Sequence, residues 1–312
     1  MTSIIPRGLA AVFAAMLLHA CMPSLLASSQ LAPGRLVPSV LAGAGKDDLL
    51  YVSDGAYIYV YTWPATEFVA RLNEESGSLG VCADRSGNVF ATNYQAASVT
   101  EYAHGGNLPI ATLSDPTGRP IGCSVDPLTG NLAVANYAGA TKSETGSVTV
   151  YIGAAGTGRV YRYPQIFFYF DCAYGPNGTL FVDGQSAGFA PVLAELQPGR
   201  QQFRGVDLPR ALRKVPLMGG LQWDGKYLVV GDVDNNRVYR LLVSQSKAQI
   251  SGSTALGGAM RIYQFFIDGR RLIGADWGNS DVAIWRYPAG GTPLKTISLG
   301  YGVFGATVSK GP

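Results

Sequence analysis

A short motif recurs six times along this chain at nearly even spacing. In each copy an apolar run ends in Asp or Asn, and a polar turn or loop follows. The copies are YVSD, FATN, AVAN, LFVD, VVGD and IGAD, which end at Asp54, Asn93, Asn136, Asp183, Asp232 and Asp276. Successive copies lie about 39 to 49 residues apart, a period typical of propeller blades. The spacing therefore predicts a ring of repeated β-sheet units.

Each copy lies within a larger unit of four short strands. A strand and a tight turn rich in Gly, Asn and Asp come before the copy, as in VCADRSGN and CSVDPLTGN. These residues supply the positive φ angles that short hairpins need. A loop and a third strand follow, as in SVTVYIG, and a more polar fourth strand often comes next, as in LKTIS. Each unit is therefore predicted to be a four-stranded antiparallel meander.

The two ends of the chain complete one unit between them. The first unit starts at LLYVSD without an inner strand before it, and residues 301–311 provide an inner strand with nothing after it. If the last segment joins the first blade, the ring closes and only short protected edges remain. We therefore predict an all-β fold, a six-bladed β-propeller whose C-terminal strand completes blade 1.

The repeated Asp or Asn has two interpretations. A carboxylate or amide at a strand end accepts hydrogen bonds from the N–H groups of the loop beyond it. Contact with a ligand is the alternative, but a functional residue is rarely repeated in every blade. The pattern favours a structural role for residues such as Asp232.

These segments resemble NHL-type propeller repeats. The resemblance rests on YVSDGAYIYVY, GDVDNNRVYRL and GADWGNSDVAIWRY, and it covers about residues 46–312. Related six-bladed families include gluconolactonase-like hydrolases, virginiamycin B lyases, and sensor or scaffold domains without catalysis. The resemblance further implies that ligands bind where the loops between second and third strands meet the loops that lead into the inner strands.

The hydrolase resemblance implies a divalent metal over the central channel. In register, the starts of the inner strands are Gly80, Gly122, Asp171, Gly220, Gln264 and Gly305. The candidate oxygen ligands, of the kind that Ca²⁺ or another divalent cation takes, are Asp171, Asn136, Asn93 and Asp232. In that case Asp171 would be catalytic, working with a metal-bound water. Its alternative role is a channel-lining carboxylate hydrogen-bonded to water or backbone amides, and the Glu of the hydrolase family has no clear counterpart.

Aromatic and basic residues gather on the loops of the expected ligand face. The candidate contact residues are Arg119, Arg261, Tyr94, Tyr137, Trp277 and Tyr263, with the run FFYF at 167–170 beside them. Aromatic rings offer flat apolar area, and Arg offers a rigid fork of donors. This mixture suits a glycan, a small anionic ligand or an envelope protein. Packing between the blades is the alternative.

Histidine and cysteine limit the possible chemistry. His104 is the only histidine after the N-terminal segment, and it falls in a hairpin between a third and a fourth strand, away from the ligand face. This placement argues against lyase mechanisms that need a His base. Cys82, Cys123 and Cys172 have no CxxC spacing and are odd in number. We therefore expect buried apolar thiols and neither a disulfide framework nor a zinc site.

Residues 1–21 have the features of an export signal. Arg7 is followed by an apolar stretch from Gly8 to Leu18, which is shorter than the roughly 20 residues that span a bilayer. The end, LHAC, resembles the lipobox of bacterial lipoproteins, although His19 is unusual there. We expect a lipid anchor on Cys21, with plain secretion or an uncleaved anchor as alternatives. Residues 22–45 are predicted to be a flexible tether.

The composition fits a folded protein that does not bind nucleic acid. The chain is 47% hydrophobic and 14% charged, with a net charge of only +3. Our first hypothesis is an exported, lipid-anchored, monomeric propeller that binds a ligand or protein and touches the membrane only through its anchor. The second is a metal-dependent lactonase-type hydrolase, and the third is a structural envelope protein.

Overall fold

A computed structural model of the chain describes Leu41 and residues 44–74, 77–139, 144–215 and 219–312. These residues form 24 β-strands and two short 3₁₀ helices, Ile152–Ala154 and Arg210–Leu212. The strands assemble into six antiparallel sheets of four strands each. Among the described residues there is no helix with the length and apolar character needed to cross a membrane. The six-bladed β-propeller is confirmed.

The blades follow the chain, except that blade 1 takes its inner strand from the C-terminus. Blade 1 contains β24 (Gly305–Ser309), β1 (Leu49–Ser53), β2 (Tyr57–Thr62) and β3 (Phe68–Asn73). Blade 2 contains β4 (Ser78–Ala83), β5 (Val89–Asn93), β6 (Ser98–Tyr102) and β7 (Pro109–Ser114). Blade 3 contains β8 (Pro120–Val125), β9 (Leu132–Ala138), β10 (Thr145–Tyr151) and β11 (Arg159–Tyr161).

The second half of the ring repeats this order. Blade 4 contains β12 (Phe168–Tyr174), β13 (Leu180–Gln185), β14 (Pro191–Leu196) and β15 (Arg204–Val206). Blade 5 contains β16 (Leu221–Trp223), β17 (Leu228–Asp232), β18 (Arg237–Ser244) and β19 (Lys247–Ala255). Blade 6 contains β20 (Ile262–Asp268), β21 (Arg271–Asp276), β22 (Asp281–Arg286) and β23 (Lys295–Ser298).

The C-terminal strand closes the ring as predicted. Residues of β24 pair with β1 from Leu49 opposite Ser309 to Ser53 opposite Gly305. Just beyond β24, Lys310 Nζ lies 2.9 Å from a carboxylate oxygen of Asp48 and 2.8 Å from one of Asp268. These contacts fasten the last residues to both blades at the closure.

The hydrophobic core is divided among the gaps between blades. One cluster of buried apolar side chains occupies each gap, including the gap at the closure. At the closure, Leu50 and Val52 of β1 pack with Ile273 of β21 and Ile284 of β22. Second strands are buried throughout, whereas outer strands such as β3 and β23 are mostly exposed. Burial therefore follows the order of strands within each blade.

A disulfide between neighbouring inner strands corrects the expectation of free cysteines. Cys82 on β4 and Cys123 on β8 are bonded, with their Cα atoms 5.7 Å apart. They are separated by 41 residues, which is about one repeat, so the ring places them side by side. The odd number of cysteines obscured this pairing. Cys172 is free and buried, as predicted.

We expect the Cys82–Cys123 disulfide to stabilise the propeller by closing a long loop in the unfolded chain. Replacing both cysteines by Ser should lower the free energy of unfolding by about 2–4 kcal/mol, measured by urea unfolding. Thiol titration of the unreduced, unfolded protein provides the direct check, because Cys82 and Cys123 should react only after reduction. Reaction of both cysteines without a reductant would contradict the disulfide.

Candidate functional site

The antiparallel blades give the ring two faces with different loops. The upper face carries the loops that join second to third strands and the loops that lead into inner strands. The lower face carries the hairpins between first and second strands and between third and fourth strands, together with both ends of the described propeller. The residue of greatest interest for chemistry, Asp171, lies on inner strand β12 between these faces.

The inner strands pair irregularly with the second strands near their upper ends. The register between the first two strands shifts at the same level in four blades, next to Gly80, Gly122, Asp171 and Gln264. Such bulges re-aim side chains and free backbone groups from the ladder. In blade 4, the freed N–H of Asp171 donates to Asp183 Oδ1 over 2.8 Å. Thr92 has the equivalent position in blade 2, where its Oγ1 accepts the N–H of Gly80 over 2.9 Å.

Asp171 and Gln264 join several inner strands across the channel. Both oxygens of Asp171 accept backbone N–H groups, Oδ1 from Cys172 over 2.8 Å and Oδ2 from Leu221 of blade 5 over 3.1 Å. The Gln264 side chain also hydrogen-bonds Asp171, and its Oε1 accepts the N–H of Val81 in blade 2 over 3.2 Å. We call Asp171 and Gln264 the channel plug.

Glycines on the facing strands make room for the channel plug. A Cβ at Gly122 would meet Asp171 Oδ1, and a Cβ at Gly305 would lie 2.6 Å from Gln264 Oε1. Two long polar side chains and glycines opposite them therefore fill the same space. This complementarity explains the glycines at positions 122 and 305, beside the two polar residues of the channel plug.

Burial shifts the protonation of the two carboxyl groups in blade 4. Desolvation raises the pKa of Asp171 to about 7, against the lowering effect of its backbone and Gln264 hydrogen bonds. Desolvation and the nearby Asp171 raise the pKa of Asp183 well above its usual value. Asp183 Oδ2 has no hydrogen-bond partner among the described residues. Burial of the pair therefore favours the protonated form of each carboxyl group, compared with an exposed aspartate.

The four candidate metal ligands belong to four separate local networks of hydrogen bonds. Asp232 accepts the backbone N–H and the side-chain amide of Asn235 in its own turn, each over 3.1 Å at Oδ1. Asn93 and Asn136 are bound into separate clusters described below. Within the described ranges, no group of three His, Cys, Asp or Glu residues has a geometry that could hold a metal ion. Asp171, with both oxygens on backbone amides, makes the contacts that its alternative structural role predicts.

Asn136 holds two blades together through a buried polar cluster. Its Nδ2 donates to Asp115 Oδ2 over 2.9 Å and to Thr149 Oγ1 over 3.1 Å. Asp115 follows the last strand of blade 2, whereas Asn136 and Thr149 belong to blade 3. Burial raises the pKa of Asp115 despite these hydrogen bonds.

The same cluster recurs between blades 1 and 2 around Asn93. Asn93 Nδ2 donates to Thr100 Oγ1 over 2.6 Å, and the Tyr102 hydroxyl donates to Glu74 Oε1 over 2.9 Å. Burial raises the pKa of Glu74, which follows the last strand of blade 1. The sequence carries a signal for both clusters in the third strands SVTEY and SVTVY, where Thr and Tyr are two residues apart.

The repeated strand-end residues thus have three different roles. Asp54 and Asp276 cap loops as Asp232 does, since Asp54 Oδ1 accepts the N–H of Tyr57 over 2.7 Å and Asp276 Oδ1 that of Arg261 over 2.9 Å. Asn93 and Asn136 connect blades, and Asp183 supports a bulge. The structural interpretation fits all six, but turn capping accounts for only three.

The predicted ligand-face residues form two clusters on the upper face. In the first, which we call the Tyr137 cluster, Arg119 lies 5.7 Å from the Tyr94 ring centre, and its Nη1 donates to Tyr94 O over 3.3 Å. Tyr137 stacks on Phe168 at 5.0 Å, and Phe168 stacks on Phe189 at 5.9 Å. Burial raises the pKa of Tyr137 to about 12, with a further contribution from Tyr94. The cluster thus runs from blade 2 to blade 4.

The second cluster, which we call the Trp277 cluster, joins blades 6 and 1. Arg261 lies 5.9 Å from the Trp277 ring centre, and Tyr263 lies 6.2 Å from both Trp277 and Phe304. Sequence reasoning missed Phe304 here and Phe189 in the Tyr137 cluster. Phe189 is 45% exposed, and its position in a loop between second and third strands was the available signal.

His104 lies on the lower face, as its hairpin position predicted. Its Nδ1 is 2.6 Å from Ser309 Oγ, and its Nε2 is 3.1 Å from the carbonyl oxygen of Asp47. The imidazole is therefore engaged with the ends of the described propeller at the ring closure. It lies on the opposite face from the Tyr137 and Trp277 clusters.

The raised pKa of Asp171 predicts a pH-dependent stability. The unfolded chain loses this proton near 3.8 and the folded protein near 7, so the free energy of unfolding should fall as pH rises through that window. Asp171→Asn cannot ionise, and it should flatten the dependence measured by urea unfolding at several pH values. Asp234→Asn, at an exposed loop residue, is the control. An unchanged slope in Asp171→Asn would contradict the assignment.

Comparison with known proteins supports the fold alone. No protein-family model and no curated protein sequence matches the chain. A chain of a nidogen–laminin complex aligns with a TM-score of 0.69 and 16% identity, covering 84% of this chain and 98% of the other. A Bacteroides caccae protein of unknown function has a TM-score of 0.62 and 14% identity, covering 84% and 99%. Virginiamycin B lyase from Staphylococcus aureus has a TM-score of 0.53 and 11% identity, covering 85% and 88%. The chain is thus similar in fold to these solved structures.

Proposed function

We propose that this protein is an exported, lipid-anchored propeller that binds a protein partner through its upper face. The observation that carries the proposal is the arrangement of the six candidate contact residues. Three lie in the Tyr137 cluster and three in the Trp277 cluster, on the same face of the ring. The partner would be an envelope protein.

The residue types of both clusters support a protein partner over a small anionic ligand. Tyr, Trp and Arg are the side chains that contribute most to binding energy at protein interfaces. The guanidinium of Arg119 is already engaged with the carbonyl oxygens of Tyr94 and Gln95, over 3.3 and 3.2 Å. These carbonyl oxygens and the Tyr94 ring hold the guanidinium in place. Because part of its donor fork is already used, it suits a flat interface better than a pocket for a small anion.

The Tyr137 cluster provides an anchor for such a partner. Phe189 is exposed, and Phe168 behind it is half-buried and supported by Tyr137. An aromatic side chain held in place by others loses little conformational entropy when a partner covers it. One solved structure of similar fold comes from a complex of two proteins, nidogen and laminin. That chain shares only its fold with this one.

Two observations support export. The N-terminal segment has the pattern of a signal with a lipobox-like end at Cys21, which lies outside the described residues. The Cys82–Cys123 disulfide is independent of that pattern. Disulfides persist mainly in oxidising compartments such as the periplasm and the cell surface.

The geometry favours binding over the hydrolase and lyase alternatives. Both side-chain oxygens of Asp171 accept backbone N–H groups within the channel plug. One related structure is a catalytically inactive virginiamycin B lyase in which a histidine is replaced by alanine. The described histidine of this chain, His104, lies on the lower face at the ring closure.

A photo-crosslinking amino acid at Phe189 should capture the partner in intact cells. The same amino acid at Leu128, which is 60% exposed in a lower-face hairpin, is the matched control. We expect a discrete crosslinked protein from position 189 and none of the same mass from position 128.

With the captured partner purified, Tyr137→Ala and Arg119→Ala should each weaken its binding about tenfold or more, as for residues at the centre of an interface. Leu128→Ala should leave the dissociation constant unchanged. Equal effects at both faces, or capture of a glycan instead of a protein, would refute the proposed partner class.

The lipid anchor predicts a change in location on replacing Cys21. Wild-type protein should sediment with the membrane fraction, and Cys21→Ser should not carry the lipid. Metabolic labelling with a fatty-acid analogue, followed by fractionation, measures both effects. Cys172→Ser, at a buried position in the propeller, is the control that should retain the label. Labelling that persists in Cys21→Ser would show that Cys21 is not the anchor.

A further inference from the structure

A large cleft opens between blades 4 and 5 on the lower face. Its volume is about 1030 Å³, which lies at the upper end of the range for small-molecule sites. The turn Pro176–Thr179 and the hairpin loop of blade 4 form one wall, and residues 243–246 of blade 5 form the other. A main-chain link between Asp207 and Lys247, just outside the cleft, fixes the two blades to each other.

The cleft contains a buried carboxylate with a defined partner. Glu195 on β14 is 6% exposed and lines the cleft. The Ser246 hydroxyl donates to Glu195 Oε1 over 2.6 Å. Gln245 and Ser246 both adopt positive φ angles, 50° and 57°, a conformation that costs energy for residues other than Gly. The strained turn therefore places the hydroxyl on Glu195.

Three aromatic side chains line the cleft, of which Trp223 is half-buried and Phe181 and Phe203 are buried. Phe181 and Trp223 stack with a ring-centre separation of 6.4 Å and an interplanar angle of 8°. The buried indole N–H of Trp223 has no acceptor among the described residues. Phe203 also lines the cleft and packs edge-on against Tyr161 at 6.4 Å. The site thus combines flat rings with an unsatisfied donor.

The remaining lining is rich in amides and hydroxyls. The side chains of this kind in the cleft are Asn177, Thr179, Gln197, Gln201, Gln202, Ser244 and Gln245. Thr179 Oγ1 donates to Gln197 Oε1 over 3.0 Å, which directs the amide N–H groups of Gln197 to other acceptors. Arg200 and Arg204 add charged donors at exposed positions.

A second cleft continues from the first across the blade 4 hairpin. It lies between blades 3 and 4 and has a volume of about 380 Å³. Asn177, Gln197 and residues 199–201 line both clefts, and Tyr174 and Tyr161 supply aromatic side chains in the second. A ligand of several linked units could therefore contact both clefts at once.

We propose that the cleft between blades 4 and 5 binds a neutral oligosaccharide. Sugar rings present apolar C–H faces that pack on aromatic side chains, and their hydroxyls both donate and accept hydrogen bonds. Hydroxyl donors suit Glu195, and hydroxyl acceptors suit Trp223, the amides and the arginines. A buried carboxylate disfavours an anionic sugar beside it. This site is independent of the upper-face partner proposed above.

Titration of the full chain with maltotriose, cellotriose and chitotriose tests the proposal. We expect at least one of them to bind with a millimolar or tighter dissociation constant by calorimetry and to change the tryptophan fluorescence. Glu195→Gln, which keeps the shape but removes the charge, should weaken that binding about tenfold or more. Trp223→Phe should remove the fluorescence change.

Two control variants show whether a loss of saccharide binding comes from the cleft itself, from unfolding or from the upper face. Arg204→Ala alters an exposed cleft residue and should weaken binding without lowering the unfolding midpoint, even if Glu195→Gln fails to fold. Asp234→Asn, at an exposed loop residue of the upper face, should leave saccharide binding unchanged. Failure of all three trisaccharides to bind, a preference for uronic-acid oligosaccharides, or loss of binding in Asp234→Asn would overturn the proposal. None of these outcomes bears on the protein partner of the upper face.

Discussion

The pairing of the last strand with the first blade is the constraint on which the ring depends. Without β24, the inner edge of β1 would have no partner, and an unpaired strand edge invites pairing with another chain. The closure is reinforced outside the strands, where Lys310 bridges Asp48 and Asp268 and His104 contacts Ser309. Residues from blades 1, 2 and 6 thus meet at one point. The apolar clusters in all six gaps require this ring to be closed, because each blade buries its faces only against its two neighbours.

The sequence was sufficient to predict the ring because its signals are local. Turn residues and alternating apolar runs specify hairpins, and their even repetition specifies blades. The strand ending at Asp232, with its capped turn through Asn235, shows how directly the pattern translates into structure. The C-terminal strand was predictable for the same reason, since one inner strand was missing at the start and one was left over at the end.

The remaining features depend on register, which the sequence does not fix. The bulges in β4 and β12 each add one residue to the inner strand, and the resulting register aligns Asp183 with Thr92 instead of Asn93. The Cys82–Cys123 disulfide was missed because an odd number of cysteines hid a pairing between consecutive blades. The two clusters of aromatic and basic residues were anticipated by residue type, but their extension to Phe189 and Phe304 depends on loop conformations.

Both ends of the described propeller lie on the lower face. Leu41 N–H donates to Gly105 O over 2.7 Å in the lower-face hairpin of blade 2, and Gly311 N–H donates to Asp48 Oδ1 over 3.0 Å. Anything attached to either end of the ring, whether a lipid, a surface or a fusion partner, is therefore connected through this face. The loops of the upper face therefore carry neither end of the described propeller.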